Sequence, residues 1–192
     1  MMTSDRLTTL TLMTGLAGLV ACQQGTMVPS VPAASQGAGI AGITWTAPVG
    51  WQMEGEKPMR VASYRVPAAP GDLEPGDCAV FFFGSGQGGD IEANLQRWYG
   101  QIEQPDGSAS SSQAKKVVQS INGVQVTTIE VPGTYLFSPR PMSPDKVKKN
   151  GYLLIGAIVE APGGNVFFKL TAPMQTARTA RFVELLQSIH RV

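Results

Sequence analysis

The hydrophobic pattern of the chain is dominated by two runs in which almost every side chain is apolar. Residues 77–83 (DCAVFFF) and 152–159 (YLLIGAIV) show no alternation of polar and apolar positions. Runs of this length predict strands that are covered on both faces. Residues 59–66 (MRVASYRV) alternate instead, and predict a strand with two different faces. Shorter strands are predicted at 43–46 and 51–53, separated by Pro48 and Gly50.

A helical period takes over between residues 90 and 103. Asp90 is a suitable N-cap for this segment. Apolar side chains recur there at spacings of four, three and four residues, which places them on one helix face; they are Ile91, Leu95, Trp98 and Ile102. A second helix is predicted to close the chain, with Pro173 in its first turn. Its core-facing residues are Phe182, Leu185, Leu186 and Ile189.

A β-hairpin is predicted where residues 115–121 and 124–131 flank Asn122-Gly123, the strongest short-range hairpin signal. The apolar positions change face along the second strand, which predicts a bulge near residues 127–128. Residues 138–150 are predicted to be a loop, and 166–171 a further strand. Because strands joined by tight turns are antiparallel, the predicted fold class is α+β. We expect a single antiparallel sheet of about six to seven strands with two packed helices.

The start of the chain has the features of a secretory signal. Arg6 precedes an apolar core at 7–20, which is too short to span a membrane stably. The core ends in Leu19-Val20-Ala21-Cys22, which resembles the lipobox of bacterial lipoproteins. That resemblance implies cleavage before Cys22 and lipid attachment to its sulfur, which holds the protein in the cell envelope. Gln23 after the cysteine resembles an outer-membrane address. The alternative is an ordinary signal peptide cut near Ala21.

The domain organisation follows from these boundaries. Residues 1–21 are the predicted signal peptide, and 22–39 a lipidated flexible tether rich in Gln, Gly, Pro, Ser and Ala. Residues 40–192 are predicted to be one α+β domain, in the periplasm or at the cell surface. The net charge is +1, and removing residues 1–21 takes out one acid and one base. This balance gives no electrostatic case for nucleic acid as a partner.

Catalytic and cofactor chemistry finds little support in the sequence. The segment 84–89 (GSGQGG) matches G-x-G-x-x-G, but Asp90 and Glu92 follow it and would repel a phosphate. His190 is the only histidine, so neither a His-based triad nor a two-histidine metal site can form; we expect it to interact with the end of the last helix. With Cys22 lipidated, Cys78 has no disulfide partner and is expected in the core. We therefore predict no catalytic residue, metal or cofactor.

Two features are candidates for binding. The Pro- and Lys-rich loop at 138–150 could contact an anionic surface or an acidic partner, or could be a solvated basic loop. Its candidate interaction residues are Arg140, Lys146, Lys148 and Lys149. Trp45 and Trp51 flank a turn and could line a groove together with the glycine loop at 84–89. Trp98 lies on the apolar stripe of the first helix and is expected in the core.

Two segments of the domain carry a family resemblance. Residues 44–51 (TWTAPVGW) are similar to the opening strand and turn of PsbP/Mog-like domains, and residues 167–173 (FFKLTAP) running into 182–186 resemble their last strand and C-terminal helix. The resemblance implies an antiparallel sheet between helices that serves binding or assembly. The expected function is thus a lipid-anchored, non-catalytic envelope module whose protein partner is unknown. The alternative is a periplasmic hydrolase or small-ligand binder.

Overall fold

The computed structural model describes residues 39–139 and 145–192, and all of them belong to one compact unit. The predicted signal peptide, Cys22, the tether up to residue 38 and Arg140 lie outside the described residues.

The described residues fold into one large antiparallel sheet, one two-stranded sheet, three short α-helices and a 3-10 helix at Ser110–Gln113. The strands are β1 (Ile43–Thr44), β2 (Gln52–Met53), β3 (Ala62–Val66), β4 (Gly76–Phe82), β5 (Ile102–Glu103), β6 (Lys115–Ile121), β7 (Val124–Phe137), β8 (Val147–Ala161), β9 (Gly164–Pro173) and β10 (His190–Arg191). The helices are α1 (Ile91–Tyr99), α2 (Met174–Thr179) and α3 (Phe182–Gln187). The large sheet has the spatial order β2-β3-β4-β9-β8-β7-β5, and β6 also pairs with β7.

Both faces of the large sheet are covered, as the two all-apolar runs predict. On one face, α1 places Leu95 and Trp98 against β7 and β8. The Trp98 ring lies so close to Gly156 that a Cβ there would come within 2.3 Å of it. On the other face, α2, α3 and the segment around Trp45 and Trp51 pack over the same central strands. The faces are called the α1 side and the α3 side below.

The predicted α+β class with a mostly antiparallel sheet is confirmed, but the prediction of a single sheet with six to seven strands is wrong. The large sheet has eight strands among the described residues, and β1 pairs with β10 in a second sheet. Strands β1 and β2 fall within the short strands predicted at 43–46 and 51–53, whereas β5 and β10, of two residues each, are additional. Segments that short show no period of their own, because their strand geometry is imposed by the neighbour with which they pair.

Several boundaries also differ from the predicted ones. Helix α1 ends at Tyr99, and Ile102 belongs to β5, where it pairs with Tyr135. The irregularity in β7 lies between Gly133 and Tyr135 instead of at 127–128. The apolar positions do change face along β7, but this change does not mark a bulge, because side chains on both faces of β7 pack into a core. The closing helix is broken into α2 and α3 at Arg181, whose φ is +58°.

Candidate functional site

The glycine loop at 84–89 serves the fold, and its geometry does not fit a dinucleotide site. Gly84, Gly86, Gly88 and Gly89 all have positive φ, which glycine adopts without steric cost. The Asp90 carboxylate accepts the backbone N–H of Ala93 at 2.7 Å and so caps α1. The strand after α1 is antiparallel to its neighbour, whereas the nucleotide-binding unit needs a parallel crossover.

The Cys78 thiol and the His190 ring are both engaged in the fold. Cys78 is fully buried, as predicted, and burial raises the pKa of its thiol far above the ordinary value. The ring Nδ1 of His190 lies 2.9 Å from the Ser188 carbonyl oxygen at the end of α3, which confirms the expected contact with the last helix. Within 39–139 and 145–192, no group of three or more His, Cys, Asp or Glu residues could hold a metal ion.

The predicted groove of Trp45, Trp51 and the glycine loop does not form, so that prediction is wrong. Both tryptophans are buried on the α3 side. The Trp45 indole donates to the Tyr64 hydroxyl at 2.9 Å, and the Trp51 indole to the Ala180 carbonyl at 2.8 Å. The glycine loop approaches Phe83 and Phe167 on the α1 side instead. The loop and the two tryptophans therefore lie on opposite sides of one sheet.

The lysines of the candidate interaction loop are placed differently from the prediction. Lys148 and Lys149 belong to β8, because β7 and β8 extend their pairing to Phe137 and Val147. Lys148 forms an ion pair with Glu103 at 2.7 Å, and Lys149 forms one with Glu74. The ammonium of Lys146 donates to the Ser138 hydroxyl.

Lys149 is also held by aromatic rings. Its Nζ lies 5.1 Å from the Phe137 ring centroid and 5.6 Å from that of Tyr152, within the range of a cation–π contact. The hydroxyl of Tyr152 donates to Glu74 at 2.8 Å. The hydrogen bond from Lys149, with that of Tyr152, lowers the pKa of the Glu74 carboxyl. Burial, together with the Glu74 carboxylate, raises the pKa of Tyr152. The positive charge of Lys149 is thus matched inside the molecule.

A different surface combines exposed apolar groups with cations. On the α1 side, helix α1 packs against β7 and β8, and part of the surface at β3 and β4 stays exposed. Val61 and Phe83 are each 39 % exposed there. Phe83 stacks on Phe81 with ring centroids 6.2 Å apart and an interplanar angle of 13°. We name this surface the Phe83 face; it consists of Arg60, Val61, Phe81, Phe83 and Lys169.

Arg60 is fixed across the Phe83 face by three contacts. Its Nη1 lies 2.8 Å from Asp77 Oδ1 and 3.4 Å from Ser63 Oγ. Its Cζ lies 5.9 Å from the Phe81 ring centroid. Alternation along β3 and β4 puts Ser63, Asp77 and Phe81 on the same side of the sheet, so the guanidinium spans from carboxylate to ring. A planar guanidinium held in this way keeps further N–H donors available for a ligand.

Lys169 lies beside Arg60 in the middle of β9, between Phe168 and Leu170. Its backbone is paired with Ala79 on one side and Gly156 on the other, and its side chain is partly buried on the α1 side. Its Nζ donates to Gln101 Oε1 at 2.8 Å. Burial lowers its pKa to about 8; the nearby Arg60 also lowers the pKa, and Asp77 raises it. Lys169 is not among the interaction residues predicted from the sequence, although it is the one charged residue in the mostly apolar strand β9.

Comparison with known proteins supplies no further information about the site. The chain matches no protein-family model, and no curated protein sequence is significantly similar to it. Among the described residues, no helix is long and apolar enough to cross a membrane.

Proposed function

We propose that this chain is a lipid-anchored binding module of the cell envelope, and that its domain contacts a protein partner through the Phe83 face. The single observation that carries the proposal is the position of the partly exposed Val61 and Phe83 beside Phe81, Arg60 and Lys169. Exposed aromatic groups next to arginine are typical of the residues that dominate protein interfaces. A sheet surface also needs little ordering when a partner binds.

The anchor in this proposal is the lipid on Cys22, attached through the tether at 22–39, with the outer membrane as the favoured location. The signal-like start and the lipobox resemblance support it. Two acyl chains hold a protein on a membrane stably, whereas one binds only marginally. The domain is further proposed to be PsbP/Mog-like; the antiparallel sheet covered by helices on both faces supports this assignment. Neither a cofactor nor nucleic acid is part of the proposed function.

The Phe83 face is preferred over the predicted basic loop for a physical reason. Lys148 and Lys149 already have carboxylate partners, so a ligand at these lysines must displace an ion pair. On the Phe83 face Arg60 is also paired with a carboxylate, but Val61 and Phe83 add exposed apolar surface that loses only water when a partner covers it. Binding by Arg140 and Lys146 stays a prediction.

Affinity capture from native envelopes tests the proposal. The wild type is compared with Phe83→Ser and with Val183→Ser, a matched control because Val183 is 61 % exposed on α3, on the other side of the sheet. We expect Phe83→Ser to lose a specific partner that Val183→Ser retains. Equal recovery by all three proteins would contradict the assignment of the surface. A variant with Lys146, Lys148 and Lys149 neutralised tests the basic loop in the same experiment.

A further inference from the structure

The charges around Lys169 do not balance. Lys57 contacts Glu54 at 2.5 Å and Asp77 at 3.6 Å, and Arg60 contacts Asp77 at 2.8 Å. Two cations therefore face two carboxylates, and each carboxylate is already engaged. Lys169 adds a third positive charge to this cluster, and Arg65, which pairs with Asp77 across β3 and β4, adds a fourth. The cations of the cluster therefore outnumber its carboxylates.

The hydrogen bonding of Lys169 is also incomplete. An ammonium has three N–H donors, and among the described residues the one hydrogen-bond partner found for Lys169 is the neutral amide oxygen of Gln101. A partly buried charge is costly unless it is both paired and hydrogen-bonded. An anion next to Nζ would supply the missing charge and accept the remaining donors.

Apolar groups border the same position. Phe81 pairs with Phe167, and Ala79 pairs with Lys169. The two pairs are two residues apart along β4 and β9, so both lie on the α1 side. Phe83 lies against both rings, with centroids 6.2 Å from Phe81 and 5.8 Å from Phe167. A ligand that places its negative charge at Lys169 would therefore lay its neighbouring carbon atoms on aromatic side chains.

We propose that Lys169 and Arg60 bind a single carboxylate that is attached to an apolar group. This inference rests on the proposed function, since it names the chemistry recognised at the Phe83 face. The Asp77 carboxylate favours a ligand with one negative charge over a phosphate dianion, and the carbon atoms attached to a carboxylate can lie on Phe83. We take the carboxylate to be the C-terminus of a partner protein, because the Phe83 face is proposed to contact a protein.

Isothermal titration of the full-length lipidated protein in detergent tests the proposal, with phenylacetate as the probe. Phenylacetamide is the neutral control of the same shape, and inorganic phosphate is the control for charge alone. We expect saturable binding of phenylacetate, and affinity at least tenfold lower for both controls. Equal affinity for phenylacetate and phenylacetamide, or no saturable binding of phenylacetate, would overturn the inference without any variant being needed.

Variants then locate the site. Lys169→Met is expected to weaken phenylacetate binding at least tenfold, whereas Lys115→Met, which removes an exposed lysine of β6, leaves binding unchanged. Circular dichroism checks that both variants fold. Unchanged binding by folded Lys169→Met would overturn the assignment. If that variant does not fold, the comparison of phenylacetate with phenylacetamide decides the matter.

The source of the carboxylate is distinguished with a short acetylated peptide that ends in phenylalanine, as the free acid and as the amide. Binding of the free acid more tightly than phenylacetate supports the C-terminus of a protein as the source, and the reverse order, which would indicate a small acid, overturns that assignment. Equal binding of the free acid and the amide counts against the carboxylate inference. Failure here is distinguishable from failure of the proposed function, which is measured by loss of a partner from native envelopes with Phe83→Ser.

Discussion

Replacement of Lys169 by methionine tests the electrostatic account of the Phe83 face through protein stability. Burial lowers the pKa of Lys169 from 10.5 to about 8. Such a change corresponds to about 3 kcal/mol, at about 1.4 kcal/mol per tenfold change in proton affinity. The proton is bound more weakly in the folded protein than in the unfolded state. The charged lysine therefore destabilises the fold at any pH below 8, and the penalty disappears as the pH rises from 8 to 10.5.

The methionine variant lacks this titration but retains a side chain that packs in a similar volume. We expect Lys169→Met to be more stable than the wild type at pH 7, by an amount approaching about 3 kcal/mol, because an apolar group replaces an incompletely paired charge. We expect most of the difference to disappear by about pH 10.5, where the lysine is neutral in the folded state and half deprotonated in the unfolded state. All other titrating groups are common to the two proteins, so their contributions largely cancel in the difference.

The assay is urea unfolding of both proteins at several pH values between 7 and 10.5, followed by tryptophan fluorescence, with the free energy of unfolding obtained by linear extrapolation. Lys115→Met, which removes an exposed lysine of β6, is the control for the loss of a lysine as such. If the free energy of unfolding of Lys169→Met, plotted against pH, ran parallel to that of the wild type over this range, the reasoning would be refuted. A variant that is less stable than the wild type at pH 7 would refute it as well.

Three further predictions concern the anchor and the core. Cys22→Ser should abolish acyl labelling and leave the precursor uncleaved by the lipoprotein peptidase; cleavage at the normal site would contradict the lipobox. Gly156→Ala should destabilise the domain by about 1–3 kcal/mol or more in urea unfolding, because the new Cβ would lie within 2.3 Å of the Trp98 ring; an unchanged midpoint would show that the helix moves away without cost. Trp45→Phe removes the indole donor to Tyr64 and leaves space in the core, so a loss of about 2–4 kcal/mol is expected, and a loss below about 1 kcal/mol would argue against this packing.

The central strands could be predicted from the sequence because their environment leaves a direct trace in residue type. A strand buried on both faces must be apolar throughout, and the runs at 77–83 and 152–159 correspond to β4 and the inner part of β8. The hairpin at Asn122-Gly123 was also predictable, since both residues adopt positive φ in a turn that requires it. Trp98 and Cys78 are buried as expected.

The other elements depend on contacts between residues that are distant in the sequence. Residues 148–150 are polar and exposed or partly exposed, yet they form a strand because the backbone of β7 pairs with this segment. The break at Arg181 leaves Phe182, Leu185 and Leu186 buried, so the apolar spacing alone did not reveal it. These features follow from pairing and packing, which a local pattern does not encode.

The candidate site was the least predictable part for the same reason. Lys169 meets Gln101, which is 68 residues away in the sequence, and Arg60 meets Asp77 across two strands. None of these residues belongs to a recognisable motif. The available signal was a single lysine inside the apolar run 166–170, and it becomes informative only once the sheet shows which side that lysine faces. The basic loop, by contrast, was predicted as an interaction site from its composition, although Lys148 and Lys149 lie in β8 and are paired with carboxylates.

Site-specific photocrosslinking in native envelopes tests the central claim most directly. A photoreactive phenylalanine analogue is placed at Phe83 in one variant and at Val183, on the opposite side of the sheet, in another. The account predicts a discrete crosslinked species from position 83 that is absent from position 183. No crosslinked species from position 83, or the same species from both positions, would contradict the claim that this module binds its partner through the Phe83 face.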